Sequence, residues 1–95
     1  MLYSISKLLT GIGSGFLNEG ISWIADLLRN NTNLLNNKLE PDTIFHLENL
    51  IRKYIFLQSA KIKKDRKSKD DVLIILNFLV EKGSAVAYML REKVL

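Results

Sequence analysis

Residues 41–62 read PDTIFHLENLIRKYIFLQSAKI and carry the clearest helical signal in the chain. Large apolar side chains recur there every three or four residues, the spacing that gathers them on one face of an α-helix. That face consists of Ile44, Leu47, Leu50, Ile51, Tyr54, Ile55, Leu57 and Ile62. Pro41 suits the first turn, where its missing N–H is not needed. The stretch predicts one amphipathic helix of about five turns.

A second long helix is predicted after a charged linker at residues 63–67. Ser68 and Asp71 have the spacing of a capping box, in which a hydroxyl and a carboxylate satisfy amides of the first turn. The apolar face that follows consists of Val72, Leu73, Leu76, Leu79, Val80, Gly83, Val86, Ala87, Leu90 and Val94. We expect one helix to residue 94, with close packing or a kink at residues 83–85.

The first forty residues predict two further helices. Residues 2–10 form the first, and the glycine cluster at residues 11–15 ends it in a turn, because glycine is unfavourable inside a helix. The second begins near Asn18, which suits an N-cap, and runs to Asn30 or, through an asparagine-rich segment, to Leu39. Its apolar face consists of Ile21, Trp23, Ile24, Ala25, Leu27, Leu28 and Leu35.

Four helices joined by short links bury their apolar faces best in an antiparallel bundle. The chain of 95 residues, 47% of them apolar, is therefore expected to be one all-α domain over residues 1–95. It contains no cysteine, which indicates a reducing compartment. No secretory signal and no apolar run of about 18 residues is present. We expect a cytoplasmic protein.

The sequence does not supply the groups of a catalytic site. His46 is the only histidine and cannot build a metal site by itself. The glycine cluster at residues 11–15 lacks the strand and the remaining residues of a phosphate-binding loop. Asp70 and Asp71 are adjacent and diverge around a helix, so helix capping explains them better than acid–base chemistry. We expect a binding protein with no metal and no cofactor.

Positive charge is concentrated in the second half. Residues 51–95 contain eleven Lys or Arg and five Asp or Glu, whereas residues 1–50 contain three and five. Six cations fall within nine residues, interrupted only by Asp65: Lys61, Lys63, Lys64, Arg66, Lys67 and Lys69. Such a run is either a solvated link or a surface for an anionic partner, namely phospholipid, nucleic acid or an acidic protein patch. Nucleic acid is the less favoured, since no recognition helix or stacking array accompanies the run.

Residues 41–90 also resemble a known family. The matching pattern consists of Leu47, Leu50-Ile51, Tyr54 and Ile55, then Lys61-Ile62, and then Leu73-Ile74-Ile75, Leu79, Gly83 and Tyr88-Met89. It is similar to the C-terminal half of the enterocin A immunity family, which protects cells from pediocin-like (class IIa) bacteriocins. Chain length, the lack of cysteine, basic charge and the order of four helices agree with that resemblance.

The resemblance implies an antiparallel four-helix bundle in the cytoplasm of a Gram-positive cell. It further implies that the chain counters a membrane-permeabilising peptide by engaging, from the inner side, the sugar-phosphotransferase permease that the peptide uses as its receptor. Partner discrimination in that family lies in the C-terminal half. The partner-binding residues implied here are Lys63, Lys64, Arg66, Lys67, Lys82, Tyr88 and Arg91.

Three alternatives remain open. A basic helical module that binds nucleic acid, or one that binds another protein, would explain the positive half. A homodimer would cover apolar side chains of the first forty residues, which a small domain cannot all bury.

Overall fold

The computed structural model describes residues 17–30 and 41–95, and these ranges contain five α-helices. They are α1 (Leu17–Asn30), α2 (Pro41–Leu57), α3 (Ser59–Lys64), α4 (Arg66–Glu81) and α5 (Ala85–Val94). The predicted all-α helical bundle is confirmed. The predicted helix at residues 2–10, the turn at 11–15 and the extension over 31–39 lie outside the described residues.

Helix α4 is the centre of the bundle, because α1, α2, α3 and α5 all pack against it. Its buried apolar side chains are Val72, Ile75, Leu76, Phe78 and Leu79. The surrounding helices contribute Ile21, Ile24, Ala25, Leu47, Ile51, Tyr54, Ile62 and Ala87 to the same core. The apolar faces predicted for α1 and α2 therefore meet around α4, as the burial of large apolar side chains requires.

The prediction of a single helix over residues 68–94 is wrong, because the helix is interrupted at residues 82–84. Gly83 has φ of +91°. Its N–H donates to the Val80 carbonyl at 2.9 Å, and the Ser84 N–H donates to the Leu79 carbonyl at 3.0 Å. This pair of bonds is a Schellman motif, which ends a helix at a glycine in the left-handed conformation. The signal noted at residues 83–85 is thus a helix end.

Ser84 begins α5 directly after this break. Its Oγ accepts a hydrogen bond from the Ala87 N–H at 3.0 Å and donates one to Glu48 Oε2 of α2 at 2.5 Å. Helix α5 then packs back on α4, where Arg91 donates to Asn77 Oδ1 at 3.0 Å. A serine N-cap of this kind satisfies an amide that the helix itself leaves unpaired.

The predicted linker at residues 63–67 and the predicted capping box at Ser68 are also wrong. Helix α3 reaches Lys64 and α4 begins at Arg66, so Asp65 alone separates them. The Asp65 N–H donates to the Lys61 carbonyl at 2.7 Å, and the Ser68 hydroxyl donates to Asp65 Oδ2 at 2.7 Å. Asp65 is thus the N-cap residue, and Ser68 lies within the first turn of α4.

The helix predicted over residues 41–62 is interrupted at Gln58, between α2 and α3. Leu47, Ile51, Tyr54 and Ile62 are buried as the pattern predicts. Leu57 is exposed, contrary to its place in the predicted apolar face. It is the last residue of α2, and the Gln58 backbone after it leaves the helical conformation, with φ of −119° and ψ of 29°.

Replacing Gly83 with alanine is expected to lower the free energy of unfolding by about 1–2 kcal/mol, the cost of placing a Cβ in the left-handed region. Apart from Gly83 and its two neighbours in the chain, no residue that the structure describes has an atom within 4 Å of the Cβ that would be added, so backbone strain is the main effect. Urea denaturation of the Gly83→Ala and Gly83→Asn variants measures it. Asparagine should be tolerated better, since it adopts this conformation more readily. Equal stability of the wild type and both variants would contradict the prediction.

Candidate binding surface

Six basic side chains surround the junction between α3 and α4, and we call them the cationic elbow. They are Lys61, Lys63, Lys64, Arg66, Lys67 and Lys69. All are exposed except Lys69, which is half-buried. Asp65 lies among them, and the hydrogen bond from the Ser68 hydroxyl lowers the pKa of its carboxyl group below the usual value. The elbow therefore keeps one negative charge at neutral pH and a large positive excess.

The elbow faces two different sides of the bundle. On one side, Lys61 and Lys67 border a polar cleft of about 250 Å³ together with Ser22, Tyr54, Asp65, Ser68 and Asp71. On the other side, Lys63 and Lys69 border a cavity of about 220 Å³ with Lys93 of α5, and we call this the lysine-rimmed cavity. Its other lining residues are Ile55, Ser59, Ile62, Val94 and Leu95.

Lys67 makes contacts within the protein. Its Nζ lies 3.0 Å from Asp71 Oδ2 and 3.3 Å from Ser22 Oγ. The other oxygen of Asp71 accepts from Arg29 Nη2 at 2.7 Å, and only 5% of the Asp71 side chain is exposed. This hydrogen bond raises the pKa of the Arg29 guanidinium above its usual value. Asp71 thus joins α1 to α4, and Lys67 helps to neutralise it.

Of the other three implied partner-binding residues, Lys82 lies at the opposite end of α4, whereas Tyr88 and Arg91 lie on α5, where Arg91 bonds to Asn77 partway along α4. The 16 residues of this helix separate Arg66 from Lys82 by about 24 Å. The Lys82 Nζ lies 5.6 Å from the ring centroid of Phe78, and the Arg91 guanidinium lies 5.1 Å from that of the exposed Tyr88. The structure therefore separates Lys82 from the elbow, whereas Arg91 lies only two residues before Lys93, which borders the lysine-rimmed cavity.

The implied partner-binding set omits Lys69, which belongs to the elbow, and also Phe56 and Lys93, which lie near it. Lys69 and Lys93 complete the rim of the lysine-rimmed cavity. Phe56 precedes α3 and has 77% of its surface exposed. A signal for Phe56 was available, because it falls outside the predicted apolar face of α2. Lys93 could not have been found in this way, since tertiary packing brings it beside Lys63.

The remaining candidate sites carry little chemistry. His46 is half-buried, and its ring centroid lies 6.4 Å from that of Phe45. Within residues 17–30 and 41–95, no three His, Cys, Asp or Glu side chains come together in a way that could hold a metal ion. None of the helices in those ranges has the length and hydropathy needed to cross a membrane.

The sequence comparisons identify no relative of this chain. The sequence matches no family model and no curated protein. Any functional proposal therefore depends on three features of the chain itself: the helical bundle, the cationic elbow and the sequence pattern over residues 41–90.

Proposed function

We propose that this chain is a bacteriocin immunity protein that protects a Gram-positive cell from a pediocin-like peptide. In this proposal it binds the sugar-phosphotransferase permease, the receptor of the peptide, from the cytoplasmic side. The cationic elbow is the observation that carries the proposal, because it is exposed and lies in the half of the chain that resembles the immunity family. The helical bundle of α2 to α5 spans the same residues and supports it.

The free cations of the elbow suit an acidic surface on a protein partner. Lys63, Lys64 and Arg66 are exposed, and none of them forms an ion pair with another described residue. Complementary charge speeds the encounter between two proteins and fixes their relative orientation. Lys67 has a smaller part in this proposal, since the Asp71 carboxylate already holds its ammonium group.

The Tyr88–Arg91 pair gives α5 a second contact region of a type common at protein interfaces. Tyrosine and arginine are enriched among the residues that dominate binding energy, because each combines a large contact area with polar groups. Arg91 lies two residues before Lys93, which borders the lysine-rimmed cavity with two lysines of the elbow, so a partner that contacts both regions must present a broad surface. A membrane protein complex with a broad cytoplasmic face meets this requirement.

Expression of the chain in a sensitive Gram-positive strain tests the proposal. We expect at least one peptide of a pediocin-like panel to lose potency against cells that express the wild type. The Lys63→Glu/Lys64→Glu variant should lose this protection, because like charges would then face the acidic surface of the partner. Growth inhibition across a dilution series of each peptide measures the effect.

The Arg52→Glu/Lys53→Glu variant is the matched control, since it makes the same change in charge on exposed positions of α2. It should protect as well as the wild type. Immunoblots would establish equal amounts of each variant in the cells. Full potency of every peptide against cells that express the wild type would show the proposal to be wrong. An equal loss of protection in both variants would show that the elbow is not the binding surface.

A further inference from the structure

Two apolar side chains are exposed where α2 ends and the elbow begins. Phe56 and Leu57 are the last residues of α2, and both are largely exposed. Lys61 follows one turn later on α3. An exposed phenylalanine beside an exposed leucine is unfavourable in water, and such a pair often marks a contact surface. The cations of the elbow next to this pair indicate that the contacted surface is anionic.

The lysine-rimmed cavity repeats the same combination of chemistry. Its apolar wall includes the buried Ile62 and the half-buried Ile55, and Lys63, Lys69 and Lys93 also line it. Cations around an apolar wall suit an amphiphilic anion, whose charged head and hydrocarbon part need different neighbours. Phospholipids with a net negative headgroup have this chemistry.

We propose that this end of the bundle docks on an anionic phospholipid bilayer. Phe56 and Leu57 enter the headgroup region, and Lys63, Lys64 and Arg66 lie against the lipid phosphates. Basic residues near an acidic membrane surface each contribute favourably, and apolar side chains add the term that holds a protein at the interface. Complementary charge, together with adjacent exposed apolar side chains, favours a bilayer over nucleic acid.

Flotation of the full chain with lipid vesicles tests this inference. Vesicles with equal parts of phosphatidylglycerol and phosphatidylcholine should carry the protein upward, and vesicles of phosphatidylcholine alone should not. Binding should weaken as salt is raised, because ions screen the exposed charges. The assay contains neither peptide nor permease and does not rest on the proposed function. A lack of vesicle binding would therefore not contradict the proposed function. A lack of protection in the growth assay would likewise not contradict the proposed membrane docking.

Phe56→Ser and Phe45→Ser form a matched pair of variants. Phe45 is 59% exposed and lies three turns before Phe56 on the same face of α2, about 16 Å away. We expect Phe56→Ser to lower the vesicle partition coefficient roughly tenfold, since it loses most of the transfer of one aromatic ring. Phe45→Ser should leave it unchanged, because that ring lies away from the docking end.

Lys63→Gln/Lys64→Gln and Arg52→Gln/Lys53→Gln form a second pair with equal loss of charge. The first should lower the partition coefficient roughly 30-fold, given the usual contribution of two cations at an acidic surface. The second should lower it much less. Circular dichroism would show that every variant keeps the helical content of the wild type.

Equal binding to both kinds of vesicle would overturn the inference, because charge would then play no part. Equal partition of Phe56→Ser and Phe45→Ser would also overturn it. A third outcome would also overturn it. If duplex DNA displaced the wild type from the vesicles, and the Phe56→Ser variant bound the vesicles as well as the wild type, the elbow would be a nucleic-acid surface and the bilayer proposal would be wrong.

Discussion

Replacing Ile75 with alanine is expected to lower the free energy of unfolding by about 2–5 kcal/mol. Ile75 is fully buried in α4, the helix against which the others pack. The substitution removes the packing of its side chain and leaves a cavity that neighbouring helices can fill only in part. Urea denaturation followed by circular dichroism measures the change, with the slope of the transition expected to stay the same.

Ile74→Ala is the matched control, because it makes the same chemical change one position earlier in the same helix. Ile74 is only partly buried at the edge of the core. Its side chain keeps contact with water in the folded state, so the substitution should cost less than half as much. An equal loss of stability in the two variants would show that the core does not lie where α4 places it.

Replacing Arg29 with methionine should cost about 2–3 kcal/mol, because it leaves the Asp71 carboxylate buried with one cation where it had two. Arg29 Nη2 lies 2.7 Å from Asp71 Oδ1, and 34% of the Arg29 side chain is exposed. Lys67 stays 3.0 Å from the other oxygen and keeps the loss below that of a fully abandoned buried charge. Thermal or urea denaturation of Arg29→Met measures the cost.

Asp71→Asn should be milder than Arg29→Met, at about 1 kcal/mol, because water can still solvate the two cations that it releases. The double variant should then be no less stable than Arg29→Met alone, since the buried charge is gone. Asp26→Asn is the control, because Asp26 pairs with the same guanidinium at an exposed site and should have little effect. Additive losses in the double variant would contradict a shared interaction.

The sequence was sufficient to predict where the core faces of α2 and α4 lie, but not how wide the face of α4 is. Leu76 and Leu79 follow the periodic pattern and are buried. Ile75 and Phe78 fall outside the predicted face and are buried as well. A single helix pattern predicts one contact stripe, whereas α4 contacts helices on several sides, and only the tertiary arrangement reveals this.

The residues that end and begin the helices could be identified in the sequence, but the backbone conformation at these positions could not be predicted from it. The apolar pattern continues across Gly83, so periodicity alone predicts one long helix. The order of Gly83 and Ser84 fits a helix end followed by a helix start, and the structure uses both. At the junction between α3 and α4, Asp65 lies within a run of charged residues that is typical of a loop, so the sequence did not identify it as an N-cap. Its spacing to Ser68 places these two residues at the start of α4.

The candidate surface was predictable in part. The charge run identifies the elbow without a structure, and the spacing of Lys67 and Asp71 permits an ion pair within one helix. The second partner of Asp71 is 42 residues away in the sequence, so no local pattern could reveal that Arg29 shares this carboxylate. The separation of Lys82 from the elbow likewise follows from the length of α4, and the position of Arg91 beside Asn77 follows from the packing of α5 on α4.

The single non-helical residue between α3 and α4 has a consequence for the thermodynamics of recognition. Since Asp65 alone interrupts the helical backbone, the main chain beneath Lys63, Lys64 and Arg66 is already ordered before any ligand arrives. A flexible loop with the same charges would lose backbone conformational entropy on association, at about 1–2 kcal/mol for each residue that became fixed. Here only side-chain rotamers remain to be restricted, so a larger share of the interaction free energy is retained as affinity.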